Sequence, residues 1–283
     1  MNRSTRIALV LVTLLSAAGL LWQYPLQAGQ WSITAGLQTF RGNYVFRTPA
    51  STVYFTGGLN FRTERFLFSA SLPVVGQNST AITNSAGLFM PNGEWVRHPA
   101  GRPGGHRGGM MDTEGVATST SMRYGVGDLY FYGEWLAVPE SGKHPSLSLT
   151  GQVKAPTASK TPDYGTGKLD YGFGLAVRKT RFPYLVWMNL SYVNFGDPDG
   201  VVYRNPLYLG IGAGRSFAGG KFLLSAYYEQ YSEILTGYTP PRQVTLTSSF
   251  RLATRQMLSL GFLAGFSESS PDWGVLTGLE FSL

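Results

Sequence analysis

The chain contains no cysteine, which excludes a disulfide framework and thiolate-bound zinc or iron–sulfur centres. Charge is scarce as well: Asp, Glu, Lys and Arg make up 14% of the residues, as many as the aromatic rings do. Soluble globular chains carry roughly 25% charged residues, so this sequence has too little charge for an ordinary water-facing surface. Disorder is excluded by the 43% apolar content. Histidine occurs three times, at 98, 106 and 144, which leaves little material for acid–base or metal chemistry. Past residue 28 no apolar run approaches the ~20 residues of a membrane helix.

The segment that does approach it is at the start. Arg3 and Arg6 precede an apolar run from Ile7 to Leu21, and Leu26-Gln27-Ala28 supplies a small-residue ending. That order reads as a secretory signal peptide over 1–28, cleaved after Ala28. The exported part, 29–283, then carries a net charge of +5 in place of the +7 of the whole chain.

What fills 29–283 is alternation. Trp31, Ile33, Ala35 and Leu37 fall on one side of an extended chain, with Ser32, Thr34, Gly36 and Gln38 on the other. Period two means a strand with one apolar face. The pattern returns around Val53–Phe61, Phe66–Leu72, Leu129–Trp135, Leu147–Val153, Leu169–Val177, Val186–Leu190, Leu207–Ala213, Phe222–Tyr228, Val244–Leu252, Leu258–Phe266 and Trp273–Leu283. Twelve strands result. Every second connection is short, whereas the others are longer, and the stretch 76–123 is much the longest. An even strand number with alternating short and long connections predicts an all-β fold: a transmembrane, antiparallel, up-and-down β-barrel of the bacterial outer membrane. Trp31, Phe40, Tyr192, Phe217, Tyr228 and Trp273 stand near strand ends and are expected in the interfacial girdles. The last strand finishes Phe281-Ser282-Leu283, close to the alternating, Phe-terminated signal read by the barrel-assembly machinery, with Leu at the final place.

Three segments carry a family resemblance: Gly125-Val126-Gly127-Asp128-Leu129, the run from Pro145 through Leu-Thr-Gly-Gln-Val-Lys-Ala to Pro156-Thr157, and Gly165-Thr166-Gly167-Lys168-Leu169-Asp170-Tyr171-Gly172. Together, over about 55 residues, they resemble the meta-pathway phenol degradation family of outer-membrane β-barrel proteins. The resemblance implies transport of aromatic compounds. Ala158 stands where members of that family often have glycine. Read without the family, these glycines permit tight turns, strand coiling and close approach of other groups. No helix follows them, so they do not form a phosphate loop, and neither nucleic acid nor a cofactor is an expected partner.

Strand alternation sorts the charges. Asp128, Lys154 and Asp170 face the interior at similar height near the outer mouth, which places a lysine between two carboxylates. Arg62, Glu134, Arg178, Arg251 and Glu280 make a second inward layer near the periplasmic end. Such charges either pair to hold the wall or meet a solute. Tyr54, Tyr130, Tyr132, Trp187, Tyr208, Tyr227 and Tyr231 face the same way, as does Glu229, so the lumen combines rings with polar groups. That lining suits small aromatic solutes and equally fills space in a narrow barrel. The candidate solute path is therefore Asp128, Tyr130, Tyr132, Glu134, Lys154, Asp170, Arg178, Tyr227 and Glu229.

The long 76–123 connection holds prolines, glycines and several arginines. It is expected either to fold over the lumen as a lid or to face lipopolysaccharide phosphates on the cell surface. His98, His106, Met110 and Met111 could hold a soft metal, although their spacing follows no ligand pattern and the neighbouring arginines repel cations. No histidine stands beside a serine nucleophile on a strand, so no catalytic residue is assigned and the chain is not expected to be an enzyme. The sequence thus predicts an outer-membrane channel for passive movement of small hydrophobic or aromatic compounds. A structural or metal-related barrel without transport is the alternative, and a lipid-modifying enzyme a more remote one.

Overall fold

The computed structural model describes residues 29–46, 48–80, 82–85, 88–91, 118–159, 164–198 and 200–283. The segment read as a signal peptide lies outside them. The strands in chain order are β1 (Gln30–Gly42), β2 (Ala50–Arg62), β3 (Phe66–Ser79), β4 (Ile82–Ser85), β5 (Leu88–Pro91), β6 (Thr118–Val126), β7 (Leu129–Val138) and β8 (Ser146–Ala155). They continue with β9 (Asp170–Arg181), β10 (Tyr184–Asn194), β11 (Leu207–Phe217), β12 (Phe222–Tyr231), β13 (Arg242–Ala253), β14 (Gln256–Gly265) and β15 (Trp273–Ser282).

Thirteen of these form one antiparallel sheet, and β4 with β5 forms a separate hairpin. In the sheet β3 pairs with β6 along its outer half and with β7 along its inner half, so those two share one place and the wall has twelve strands. β1 pairs with both β2 and β15, which closes the ring. Closure leaves no open edge, as hydrocarbon demands of any β structure crossing it. Wall strands of 10 to 14 residues match the ~9–11 needed for a tilted crossing.

The burial pattern follows the period-two reading. Phe55, Leu59, Phe173, Leu175, Val186, Ile211, Leu246 and Phe262 point outward and exposed, whereas Thr34, Thr56, Ser71, Ser148, Thr247 and Ser259 point into the lumen and are buried. Near the end with short turns the outward rings pair across strands, as Trp31 does with Phe61, Phe66 with Trp135, and Phe222 with both Phe217 and Phe250. One girdle expectation is corrected. Phe40 is 2% exposed and turns inward against Tyr54, because it shares the parity of Gln38 and not that of Leu37. Alternation outranks nearness to a strand end.

The junction of β6 and β7 has a local cause. Pro73 in β3 has no N–H to give on the side where its carbonyl accepts from Gly127 N at 2.8 Å. The partner strand breaks there: register runs from Val74 opposite Val126 to Ser71 opposite Tyr130, one residue out of step. Gly127 and Asp128 occupy that bulge, a place where proline is tolerated inside a sheet. The short turns sit at the end of the barrel where β1 begins and β15 ends. Thr63 Oγ1 accepts from Phe66 N at 2.9 Å in one of them, and Gly219 and Gly220 adopt positive φ in another.

Two outcomes test this architecture. The folded protein should fractionate with outer membranes and migrate faster unheated than boiled on a detergent gel. Leu246→Arg, on the lipid side at mid-strand, should cost about 2–4 kcal/mol of barrel stability by the depth-dependent penalty for a lipid-facing cation, read from the denaturant midpoint in detergent or lipid.

Candidate functional site

Asp128, Lys154 and Asp170 do meet at the outer end of the lumen. Lys154 Nζ lies 2.8 Å from Asp170 Oδ2 and 3.4 Å from Asp128 Oδ2, with all three side chains almost wholly buried. Lys154 also donates to Thr166 Oγ1 at 2.6 Å, while Asp128 Oδ1 accepts from Ala158 N and Asp170 Oδ1 from Gly196 N, both at 2.9 Å. Those partners belong to two outer loops, so the triad fastens loops to wall. The Pro156–Ser159 stretch adds to the fastening. Thr157 Oγ1 accepts from Leu129 N, and Ser159 N donates to the carbonyl of Val126, which satisfies both lips of the bulge.

Glycine makes room for this packing. A β-carbon at Gly125 would collide with the ring of Tyr164, and one at Gly165 with the Asp128 carboxylate. Gly167 has a φ of 68°, the left-handed region that glycine enters without steric cost. The motif glycines therefore serve close contact at the loop–wall junction.

Midway down the barrel a cluster of rings occupies the lumen. Trp187 of β10 stacks on Tyr227 of β12, centroids 5.9 Å apart and planes 13° from parallel, and Tyr132 of β7 belongs to the same buried cluster. Between the first two runs β11, whose inward positions include Gly210, Gly212 and Gly214 in a row. A β-carbon at Gly210 would strike the Tyr227 hydroxyl, and one at Gly212 the Trp187 indole. This glycine track is the bed on which both rings lie. The Tyr227 hydroxyl accepts from Asn189 Nδ2 at 3.0 Å and shares a short hydrogen bond with the Tyr208 hydroxyl. Tyr208 also donates to Glu229 Oε2 at 3.0 Å, and Gln243 Nε2 donates to Glu229 Oε1. The indole N–H of Trp187 is buried yet finds no hydrogen-bond acceptor among the described residues.

The lower layer is ionic. Arg178 grips Glu134 through both guanidinium nitrogens, at 2.5 and 2.7 Å, and Tyr132 donates to the same carboxylate at 3.1 Å. Across the lumen Glu280 accepts from Ser32 Oγ at 2.8 Å; Ser32 in turn accepts from Asn60 Nδ2, and Asn60 Oδ1 from Ser69. Arg62 lies within electrostatic reach of Glu280 and Glu134. Of the sequence-derived path residues, Tyr130 alone sits outside these three groups, buried on β7 between the first and second layers.

Over the outer mouth lies a roof of loops. The β4–β5 hairpin comes from the long connection; the strands run further than the sequence reading placed them, to Ser79 and from Thr118. Ile82 and Met90 are buried in two different apolar clusters. The carbonyl of Ile82 accepts from Gln77 Nε2 at 3.2 Å, and that of Pro91 from the Tyr203 hydroxyl at 2.8 Å. Burial pushes the Tyr203 hydroxyl well above the ordinary tyrosine range, so it stays a neutral donor at physiological pH. Tyr44, Val45 and Phe46 tuck in from the β1–β2 loop, with Tyr44 and Val45 held at positive φ. That conformation is costly for a β-branched residue, and burying both side chains under the roof offsets it. A crevice of about 20 Å³, room for about one water, remains between Tyr44, Met90, Ile234, Leu235 and Tyr238. The possible metal ligands His98, His106, Met110 and Met111 lie outside the described residues.

Sequence reading missed the glycine track, although its period-two glycines are visible at 210, 212 and 214. It also missed Asn189 and Gln243, whose inward aim alternation does encode, and the roof residues, most of which lie on loop paths that it does not.

The closed wall, apolar outside and polar within, defines a transmembrane β-barrel of the bacterial outer membrane. No family profile matches the chain, and no curated protein matches it in sequence. Among solved structures, the COG4313 outer membrane channel from Pseudomonas putida F1 aligns with a TM-score of 0.62 at 11% identity, over 92% of this chain and 97% of that one. The KdgM porin aligns with a TM-score of 0.49 at 8% identity, over 89% and 99%. The toluene transporter TodX of Pseudomonas putida aligns with a TM-score of 0.43 at 10% identity, over 94% and 91%. The first of these likenesses establishes a shared fold.

Two substitutions test the site. Lys154→Met should destabilise the barrel by about 3–5 kcal/mol, the usual cost of stripping one partner from a buried ion pair. Adding Asp128→Asn should recover part of that loss, measured as the midpoint of the heat-modifiable gel shift; losses that merely add would mean the groups are not coupled. Gly212→Ala should displace Trp187, cost about 1–3 kcal/mol by overpacking, and shift the indole emission of the folded barrel.

Proposed function

We propose that the protein is an outer-membrane channel for passive movement of small hydrophobic or aromatic solutes, with the β4–β5 hairpin as its gate. The observation that carries this reading is the ring cluster of Trp187, Tyr227 and Tyr132 on its glycine track, with an unused indole donor at its centre. A buried N–H without an acceptor carries a desolvation cost that an oxygen-bearing solute would relieve. A phenolic or other weakly polar aromatic solute supplies both a ring to stack and an oxygen to accept that bond. Polar layers bracket the rings, with Lys154 held between Asp128 and Asp170 above and Arg178 paired with Glu134 below.

The resemblance to the meta-pathway phenol degradation family points to the same solute class, and the fold shared with an outer membrane channel is compatible with it. The solute-path role of Asp128, Tyr130, Lys154, Asp170 and Glu229 is part of this proposal. In it Glu134, Arg178, Tyr132 and Tyr227 border the stacking site, and the outer triad holds the loops between which solutes pass. A channel also suits the chemistry available better than a lipid-modifying enzyme does. Among the described residues the single histidine, His144, is exposed in a periplasmic turn, its backbone paired with Ser141.

The gate reading rests on where the hairpin lies, with Ile82 and Met90 buried among the loop residues at the outer end of the lumen. Replacing residues 80–117 with a short Gly-Ser turn should leave the barrel heat-modifiable and raise single-channel conductance several-fold in planar bilayers. In liposome-flux assays phenol-sized aromatics should cross faster than sugars of equal mass, and Trp187→Phe should reduce that preference. Unchanged conductance in an assembled deletion variant would remove the gate, and equal flux of both solute types would remove the aromatic channel.

A further inference from the structure

The outer face of the wall carries a groove that the lumen reading does not use. Five neighbouring strands line it with outward residues, Val177 and Lys179 of β9, Val186 and Met188 of β10, Ile211 and Ala213 of β11, Ala226 and Tyr228 of β12, and Val244 of β13, and the inward-facing Trp187, Gly212 and Tyr227 of the same strands complete the lining. Its volume is about 500 Å³, within the ~300–1,000 Å³ of small-molecule sites. The depression arises because Ala213 and Ala226 face each other across β11 and β12, where the surrounding outward positions carry larger side chains.

The groove has a polar foot. Cross-strand register puts Lys179 opposite Val186, and Val186 opposite Ala213. Two residues nearer the periplasm, the next outward row reads Arg181, Tyr184 and Arg215 across the same three strands. Lys179 is already neutralised, 2.9 Å from Glu140 and donating to the carbonyls of Gly142 and His144. Arg181 and Arg215 have no acidic partner among the described residues. Arg215 is held outward over two rings, 5.6 Å from the centroid of Tyr184 and 4.9 Å from that of Phe217. Stacking of this kind orients a guanidinium while leaving its N–H edge free for an anion.

We infer that this face binds one anionic phospholipid of the inner leaflet, its phosphate on Arg181 and Arg215 and one acyl chain in the groove above Ala213 and Ala226. Three observations choose the occupant. The groove is apolar along its length, it opens at the depth of the hydrocarbon, and the free cations stand only at its periplasmic foot. That order, two positive groups at the interface and an apolar trough running toward mid-membrane, is complementary to a single amphiphile with its anionic head at the periplasmic surface. Juxtamembrane Arg and Lys favour anionic over zwitterionic headgroups by roughly a factor of five per cation, so two give a preference of roughly twenty-five-fold.

Native mass spectrometry of the assembled barrel, offered equal amounts of phosphatidylglycerol and phosphatidylethanolamine with the same chains, tests this directly. The unmodified protein should retain one phosphatidylglycerol over phosphatidylethanolamine by roughly twenty-five-fold. Arg181→Gln with Arg215→Gln should bring the ratio close to one while the complex still forms. Ala213→Leu with Ala226→Leu should fill the groove and lose both lipids. Arg255→Gln, in another periplasmic turn, serves as the control and should change nothing. The gel shift on heating verifies assembly of each variant, and all five substituted side chains are exposed and point away from the lumen. Equal retention of the two lipids by the unmodified protein would overturn the inference. So would a loss with Arg255→Gln as large as with the arginine pair, which would mean a diffuse basic rim, or undiminished binding after the groove is filled.

Discussion

A chain that crosses hydrocarbon has no water to satisfy its amides, and every other feature here depends on that constraint. It requires each strand to be paired on both sides, hence a closed ring, and the pairing of β1 with β15 supplies the closure. Period two then divides the sequence between two solvents, lipid outside and the lumen within. Twelve strands make a lumen narrow enough for opposite walls to approach, so inward polar groups must satisfy one another.

The interior meets that demand unevenly, and the unevenness locates the site. At both ends charges are paired and hydrogen-bonded: Lys154 between two aspartates above, Arg178 on Glu134 below. Removing a partner from either set would leave a buried charge, so these layers stiffen the barrel and pin its loops. Between them, satisfaction runs from Gln243 through Glu229 and Tyr208 to Tyr227, and stops at Trp187. The indole N–H is thus one of the buried groups left without an internal partner, and the one that lies within the stacked rings.

Much of this could be read from the sequence because membrane barrels write their two faces on alternate residues. The strand positions, the inward aim of the seven rings and the meeting of Asp128, Lys154 and Asp170 all follow from parity and strand direction. Phe40 shows the limit of reasoning by location alone: parity sends it inward, whatever its distance from the interface. The roof was illegible for a different reason. Tyr44, Val45 and Tyr203 sit on irregular backbone, where no period relates sequence to direction, and Tyr44 and Val45 adopt positive φ values that their side chains disfavour. Pro73 was a readable clue left unused. A proline inside a strand implies a defect in the neighbouring ladder, and the bulge at Gly127-Asp128 is that defect.

Side-chain size, more than charge, sets the particular character of one sector. Along the middle of β11 the inward positions 210, 212 and 214 are glycines and the outward Ala213 is small, with Ala226 beside it on β12. The wall is therefore thinnest where Trp187 and Tyr227 lie against its inner surface and where the groove is cut into its outer one. A larger residue on either face would be felt differently: inside it would displace a ring, outside it would fill the trough. Small residues at these places weaken a strand by removing packing and by the entropy that glycine loses on folding. Retaining them costs stability on both faces of one strand pair, and the ring cluster within and the apolar trough without are what that cost makes possible.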